Sequence, residues 1–134
     1  CTGGLVGSRI TDVPGSSRVF MGGVIAYSNN IKSKLLGVKK ETLDSRGAVS
    51  NETAREMAVL TLEKFKADYA ISITGIAGPE GGTQSKPVGL VYVGIASKEG
   101  VNVKKYQFRG DRDAIKLRTS QAALNMIRIA INNE

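Results

Sequence analysis

The chain has 134 residues, 41% of them hydrophobic, and a formal charge of +7. That length suits one domain with its own core, built without disulfide or metal. The chain holds one cysteine, Cys1, and no histidine, which excludes an intrachain disulfide, Ser–His–Asp or Cys–His catalysis and most zinc sites.

No apolar run approaches the length of a membrane span, so no membrane partner is expected. A lone cysteine points to a reducing, cytoplasmic compartment, and no signal-peptide pattern contradicts it. Lysines and arginines are spread along the chain without a block of like charge. Four tyrosines and three phenylalanines form no visible stacking platform, so nucleic acid is not the expected principal partner.

Leu5, Val6, Ile10 and Val13 share one helical face. Gly3-Gly4 just ahead suits either an anion at the helix N-terminus or a tight strand-to-helix turn. Pro14-Gly15 ends that helix. Val19 to Tyr27 reads as a strand with a glycine pair inside it. Ser28, Asn29 and Asn30 can cap a short helix through Leu36, which Gly37 ends. Lys32 falls in its first turn, where a cation opposes the helix dipole. It is either an ordinary solvated lysine or a place where function overrides local stability. Lys39 to Arg46 is a helical turn. Ser50 caps a longer helix to Lys66, with Ala54, Met57, Ala58, Thr61, Leu62 and Phe65 on one face.

Asp68 to Gly89 is the centre of the sequence. A short apolar run, Tyr69 to Ile73, suits a buried strand. Gly75, Gly78, Pro79, Gly81 and Gly82 follow within eight residues. Such a loop can aim N–H groups at an anion, or it can be a long flexible connection. Val88 to Ala96 is apolar on both faces and belongs in the middle of a sheet. Lys98-Glu99-Gly100 turns the chain back through Val101 to Phe108 as an antiparallel hairpin. Asp111 caps a last helix, Arg112 to Asn132, whose buried stripe is expected at Ile115, Thr119, Ala122, Met126, Ile129 and Ala130. The order predicts an α/β protein: a three-layer α/β/α sandwich with a mixed sheet including the antiparallel hairpin.

Seven motifs occur in series: Cys1-Thr2-Gly3-Gly4, Thr11 to Ser17, Tyr27-Ser28-Asn29, Gly47-Ala48-Val49-Ser50, Thr74 to Pro79, Lys86 to Gly89 and Gly110-Asp111-Arg112. Together they resemble the C-terminal domain of the competence/damage-inducible protein CinA. The resemblance covers nearly the whole chain as a single domain, 1–134, without the helix and strand that usually precede this point. It implies an amidohydrolase that turns nicotinamide mononucleotide and water into nicotinic acid mononucleotide and ammonia, with no cofactor. It also implies a homo-oligomer, in some members fused behind an N-terminal nucleotide-processing domain. The family's nucleophilic serine stands directly before Cys1, and its tyrosine and lysine match Tyr27 and Lys32.

Without histidine, a serine needs another base, and a lysine of lowered pKa can serve. Lys32 is the expected base and Tyr27 the proton relay. Backbone N–H groups of Thr2, Gly3 and Gly4, or of Thr74, Gly75, Ile76, Ala77 and Gly78, are candidates for the oxyanion hole. Lys86 and Arg112 are candidates for the 5′-phosphate. Cys1 reads as a packed thiol rather than a nucleophile. Three other readings stay open: a non-catalytic nucleotide- or phosphate-binding module, an interaction domain in DNA uptake or repair, and a fold without a ligand.

Overall fold

The computed structural model describes residues 1–133. The elements in chain order are α1 (Leu5–Thr11), a 3-10 turn (Ser16–Arg18), α2 (Asn29–Ile31) continuing as a π-helical turn (Lys32–Leu36), α3 (Lys40–Arg46), α4 (Asn51–Phe65), β1 (Tyr69–Gly75), β2 (Leu90–Ser97), β3 (Gly100–Gln107) and α5 (Arg112–Asn132). Among the described residues no helix is long and apolar enough to cross a membrane.

The three strands form one antiparallel sheet in the order β1-β2-β3. Tyr69 pairs with Ser97 and Gly75 with Val91; Leu90 pairs with Gln107 and Ser97 with Gly100. The central strand β2 is the most buried, as its two-faced apolar pattern predicts. One sheet face carries Ile71, Ile73, Val91 and Val93, packed with Val6 and Ile10 of α1 and Ile115 and Ala123 of α5. On the other face Ser72 Oγ donates to the Ala54 carbonyl of α4 at 2.6 Å. Gly94 lies so close to Ser72 Oγ, with the Ala54 carbonyl and Ala58 beyond it, that a Cβ would not fit. A second cluster of Leu36, Val38, Leu43 and Met57 lies in that α3–α4 layer, with Val24 and Ala26 against it. The three layers are therefore α1/α5, sheet and α3/α4.

Ser28, Ser50 and Asp111 all cap as expected, accepting from the N–H groups of Ile31, Thr53 and Ala114. Two expectations change. Residues 19–27 have no regular secondary structure and join no ladder of the described sheet. Their period-2 pattern is still visible: Phe20, Val24 and Ala26 are half-buried, whereas Val19, Met21, Ile25 and Tyr27 are exposed. The alternation fixes which side packs, but a strand also needs a backbone partner, and the described residues supply none. The sheet they form is accordingly all antiparallel. The stripe of α5 holds in part: Ile115 and Thr119 are buried together with Ser120 and Ala123, Ala122, Met126 and Ala130 are half-buried, and Ile129 is exposed.

Candidate active site

The cleft begins with Lys32. The Ser28 cap starts a short α-helix, and the next turn opens to π geometry before Gly37, at φ 92°, ends it. Single π-turns are rare and occur mostly where a helix must re-aim side chains. Here the turn sends Lys32 inward, only 6% exposed. Its Nζ donates to the Ala26 carbonyl at 2.8 Å and the Tyr27 carbonyl at 3.3 Å. No carboxylate accompanies it; the one ion pair among the described residues, Arg46–Glu52, lies elsewhere. Burial without an anion disfavours the ammonium and pushes the Lys32 pKa below its ordinary 10.5. An ammonium has three N–H donors and two are satisfied by carbonyls, so one direction is left for the cleft.

Ala26, Tyr27, Asn29 and Lys32 form one wall. Ala48 and Val49, in the α3–α4 connector, form another, and Ile73 to Gly75 with Ala77 form the third; Cys1 and Arg112 complete it. The connector is stiff. Ser50 Oγ and Thr53 Oγ1 both donate to the Gly47 carbonyl, at 3.0 and 2.7 Å. Thr74, 3% exposed, donates its Oγ1 to the Ala48 carbonyl at 2.5 Å. Gly75 must be glycine for space: an added Cβ would lie 2.7 Å from Val91 and 3.2 Å from Cys1 Sγ. The Cys1 thiol thus packs against the strand end, as the packed-thiol reading expects.

Arg112 opens α5, and its Nη1 donates to the Gly78 carbonyl at 2.7 Å. The rest of its guanidinium is free for an anion. Positive charge converges at the Cys1 end of the cleft. Lys32 and Arg112 both line it beside Cys1.

The structure brings together Tyr27, Lys32, Thr74, Gly75, Ala77 and Arg112. It leaves others aside. Lys86 Nζ is held on the Arg46 carbonyl at 2.6 Å. Thr2, Gly3 and Gly4 lead into α1 outside the cleft lining. The Ile76 N–H is taken by the Leu90 carbonyl at 2.9 Å. Gly78 lies outside the lining beside Ala77; both are buried, and among the described residues no backbone carbonyl meets their N–H groups. Tyr27 is 72% exposed, and its carbonyl rather than its hydroxyl meets Lys32. Asn29, Ala48 and Val49 were not singled out as site residues. Their signal was faint: two short motifs with no chemistry in their side chains beyond one amide.

A three-layer α/β/α domain whose cleft is built on a buried lysine, without histidine, defines the class. The CinA C-terminal domain family matches residues 1–131, and the chain belongs to that family. It is 58% identical to a competence-damage inducible protein of Halothermothrix orenii over 92% of this chain and 30% of that protein. It is 56% identical to a CinA-like protein of Kosmotoga olearia over 98% of this chain and 32% of that one. The chain thus spans about three-tenths of the length of these curated relatives. Among solved structures it is similar to the competence/damage inducible protein CihA of Agrobacterium tumefaciens, with a TM-score of 0.95 and 42% identity over 98% of this chain and 81% of that chain. A CinA superfamily protein of Klebsiella pneumoniae 700603 gives a TM-score of 0.95 at 29% identity, over 100% of this chain and 84% of that chain.

Proposed function

We propose that this domain hydrolyses the carboxamide of nicotinamide mononucleotide to the carboxylate and ammonia. The observation that carries the reading is Lys32: buried, unpaired with any carboxylate, depressed in pKa and facing a cationic cleft. A solvated surface lysine would have none of these properties. The expected nucleophile is a serine directly before Cys1, which lines the cleft with Lys32 and Arg112.

In this reading neutral Lys32 takes the serine proton as the hydroxyl oxygen attacks the carboxamide carbon. The negative charge that develops on the amide oxygen is met by the free N–H groups of Ala77 and Gly78. The C–N bond then breaks, and the proton held on Lys32 passes to the leaving nitrogen, which departs as ammonia. Water, deprotonated by the same lysine, releases the acid and restores the serine. Arg112 binds the 5′-phosphate with the part of its guanidinium not on Gly78. Tyr27 relays protons through its hydroxyl only if the side chain turns inward from its exposed position.

The test is ammonia release from nicotinamide mononucleotide by the full-length protein and by its Lys32→Met variant. Release by the first and not by the second supports the reading. Equal release by both would remove Lys32 from the chemistry. A protein that binds the mononucleotide and releases nothing would be a nucleotide-binding module, the reading that the free Arg112 guanidinium favours second. Tyr27→Phe with unchanged turnover would reduce Tyr27 to its backbone carbonyl.

A further inference from the structure

The glycine-rich connection between β1 and β2 is held at more points than a flexible loop needs. Its base is closed by Ile76 N–H to the Leu90 carbonyl at 2.9 Å and Gly89 N–H to the Ile76 carbonyl at 2.7 Å. Its far end is a compact turn. Thr83 N–H donates to the Lys86 carbonyl at 2.8 Å, and Lys86 N–H donates to Thr83 Oγ1 at 3.0 Å. This reciprocal pair fixes the backbone from which the Lys86 side chain leaves.

That side chain reaches 40 residues back in sequence to the Arg46 carbonyl, the last of α3. A helix C-terminus leaves carbonyls without partners and carries a partial negative charge, so an ammonium there satisfies both needs. Gly47 leaves the space: an added Cβ would lie 2.9 Å from Lys86 Nζ, and the residue's φ is +82°. Directly after Arg46 come Ala48 and Val49, one wall of the cleft. Two residues past the end of β1 comes Ala77, in another wall of the cleft, on the loop whose far turn carries Lys86. On the other side Arg112 holds the same loop through the Gly78 carbonyl. The loop is therefore tied to both helical layers, by Arg112 to α5 and by Lys86 to α3.

We propose that Lys86 is a positioning residue. Its ammonium latches the glycine-rich loop to the end of α3 and sets the distance between the Ala48–Val49 wall and the Thr74–Ala77 wall. It acts on the substrate through that spacing and not by touching the phosphate. The inference rests on the amidohydrolase reading for what is positioned, but the latch itself has a readout of its own.

The experiment compares the full-length protein with its Lys86→Met and Lys86→Arg variants in two measurements. The first is amide hydrogen exchange without substrate. Lys86→Met should exchange roughly tenfold faster in residues 47–50 and in 81–86 together, and not in β2 or β3, the size expected for one lost charge-assisted hydrogen bond. The second is the split of kcat and KM for nicotinamide mononucleotide. Lys86→Met should raise KM about tenfold with kcat changed less than about threefold, the signature of lost ground-state placement. Lys86→Arg, which keeps a cation in reach, should recover part of both. Unchanged exchange with a raised KM would make Lys86 a ligand contact and overturn the latch. Faster exchange with unchanged KM would show a tie that positions nothing, and would overturn it equally. If the unaltered protein releases no ammonia, the amidohydrolase reading falls, and the exchange result alone decides whether Lys86 joins the two walls.

Discussion

Lys32 carries the most specific expectations at the scale of one residue. Its ammonium is buried against two carbonyls without an anion, an arrangement that costs stability whenever the lysine is protonated. The folded-state pKa lies below the ordinary 10.5. Between the folded and unfolded values the unfolded chain binds more protons, so stability rises with pH across that window. Below it the cost is present in full. The Lys32→Met variant should flatten this rise and keep or improve the melting temperature at neutral pH, since a buried unpaired charge is replaced by an apolar chain. Thermal melts of both proteins from neutral to alkaline pH check it; a variant that melts earlier at every pH would show the ammonium to be stabilising. In the proposed amidohydrolase reading the same lysine would set the acid limb of activity. As a general base it must be neutral, so kcat/KM should rise with pH through its lowered pKa and then level off. Removing it should reduce kcat by a factor of about 10² to 10⁴, the usual range for a general base. A pH–rate profile without an acid limb assignable to an amine would count against this role.

Elements make two further predictions, both about ends. The N-terminus of α3 has no cap of its own: Lys39 occupies the position without a capping side chain. Glu56 of α4 supplies it instead, accepting from Lys39 N–H at 2.9 Å and from the Thr42 hydroxyl. Glu56→Ala should therefore cost ~1 kcal/mol, as loss of an N-cap does, and lower the melting temperature by a few degrees without touching the cleft. Gly89, at the base of the loop, is held at φ +91°, and an added Cβ would lie 2.0 Å from the Phe108 carbonyl oxygen. Gly89→Ala should cost on the order of 2 kcal/mol, because a strained left-handed backbone and a steric clash add. A melt that does not move would refute the placement of that turn. What the sequence made legible follows the same division. Caps were readable because Ser28, Ser50 and Asp111 stand one step before helical patterns, and capping is a local hydrogen bond. The hairpin was readable from Gly100 and the alternation that follows. Residues 19–27 were readable as an alternating segment but not as one outside the sheet, since pairing is decided by a neighbour distant in sequence. Lys32 was visible as a lysine in the wrong turn for the helix dipole. The π-turn that buries it was not, because that register depends on how Leu36 and Val38 pack in the second cluster. Lys86 was one of two candidates for the phosphate, beside Arg112, on its charge; its tie to Arg46, across 40 residues, leaves no local mark.

At the scale of the whole molecule, the charge of +7 must be divided between a general attraction for polyanions and one defined anion site. The proposed reading takes the second division, because Lys32 and Arg112 come from two elements and line one cleft, whereas β3 presents Lys104 and Lys105 on an exposed edge strand where lysine also blocks sheet extension. A single phosphate on Arg112 predicts a modest salt dependence, since charges separated by more than about 8 Å are screened at physiological ionic strength. A long nucleic acid neutralising six or more cations would instead lose about 10³-fold or more in affinity between 50 and 200 mM salt. Mononucleotide at a hundred times its Kd should stabilise the protein by ~2.7 kcal/mol if it binds only the folded state. Arg112→Ala should remove most of that gain; because it also cuts the tie to the Gly78 carbonyl, the gain is read against the variant's own ligand-free melt. Thermal shift with nicotinamide mononucleotide, with inorganic phosphate and with a short DNA duplex, each at two salt concentrations, separates the cases. Stabilisation by the mononucleotide that Arg112→Ala abolishes places the anion at the start of α5. Stabilisation by DNA alone, falling steeply with salt and indifferent to Arg112, would return the charge to a polyanion surface and take the small-nucleotide reading with it.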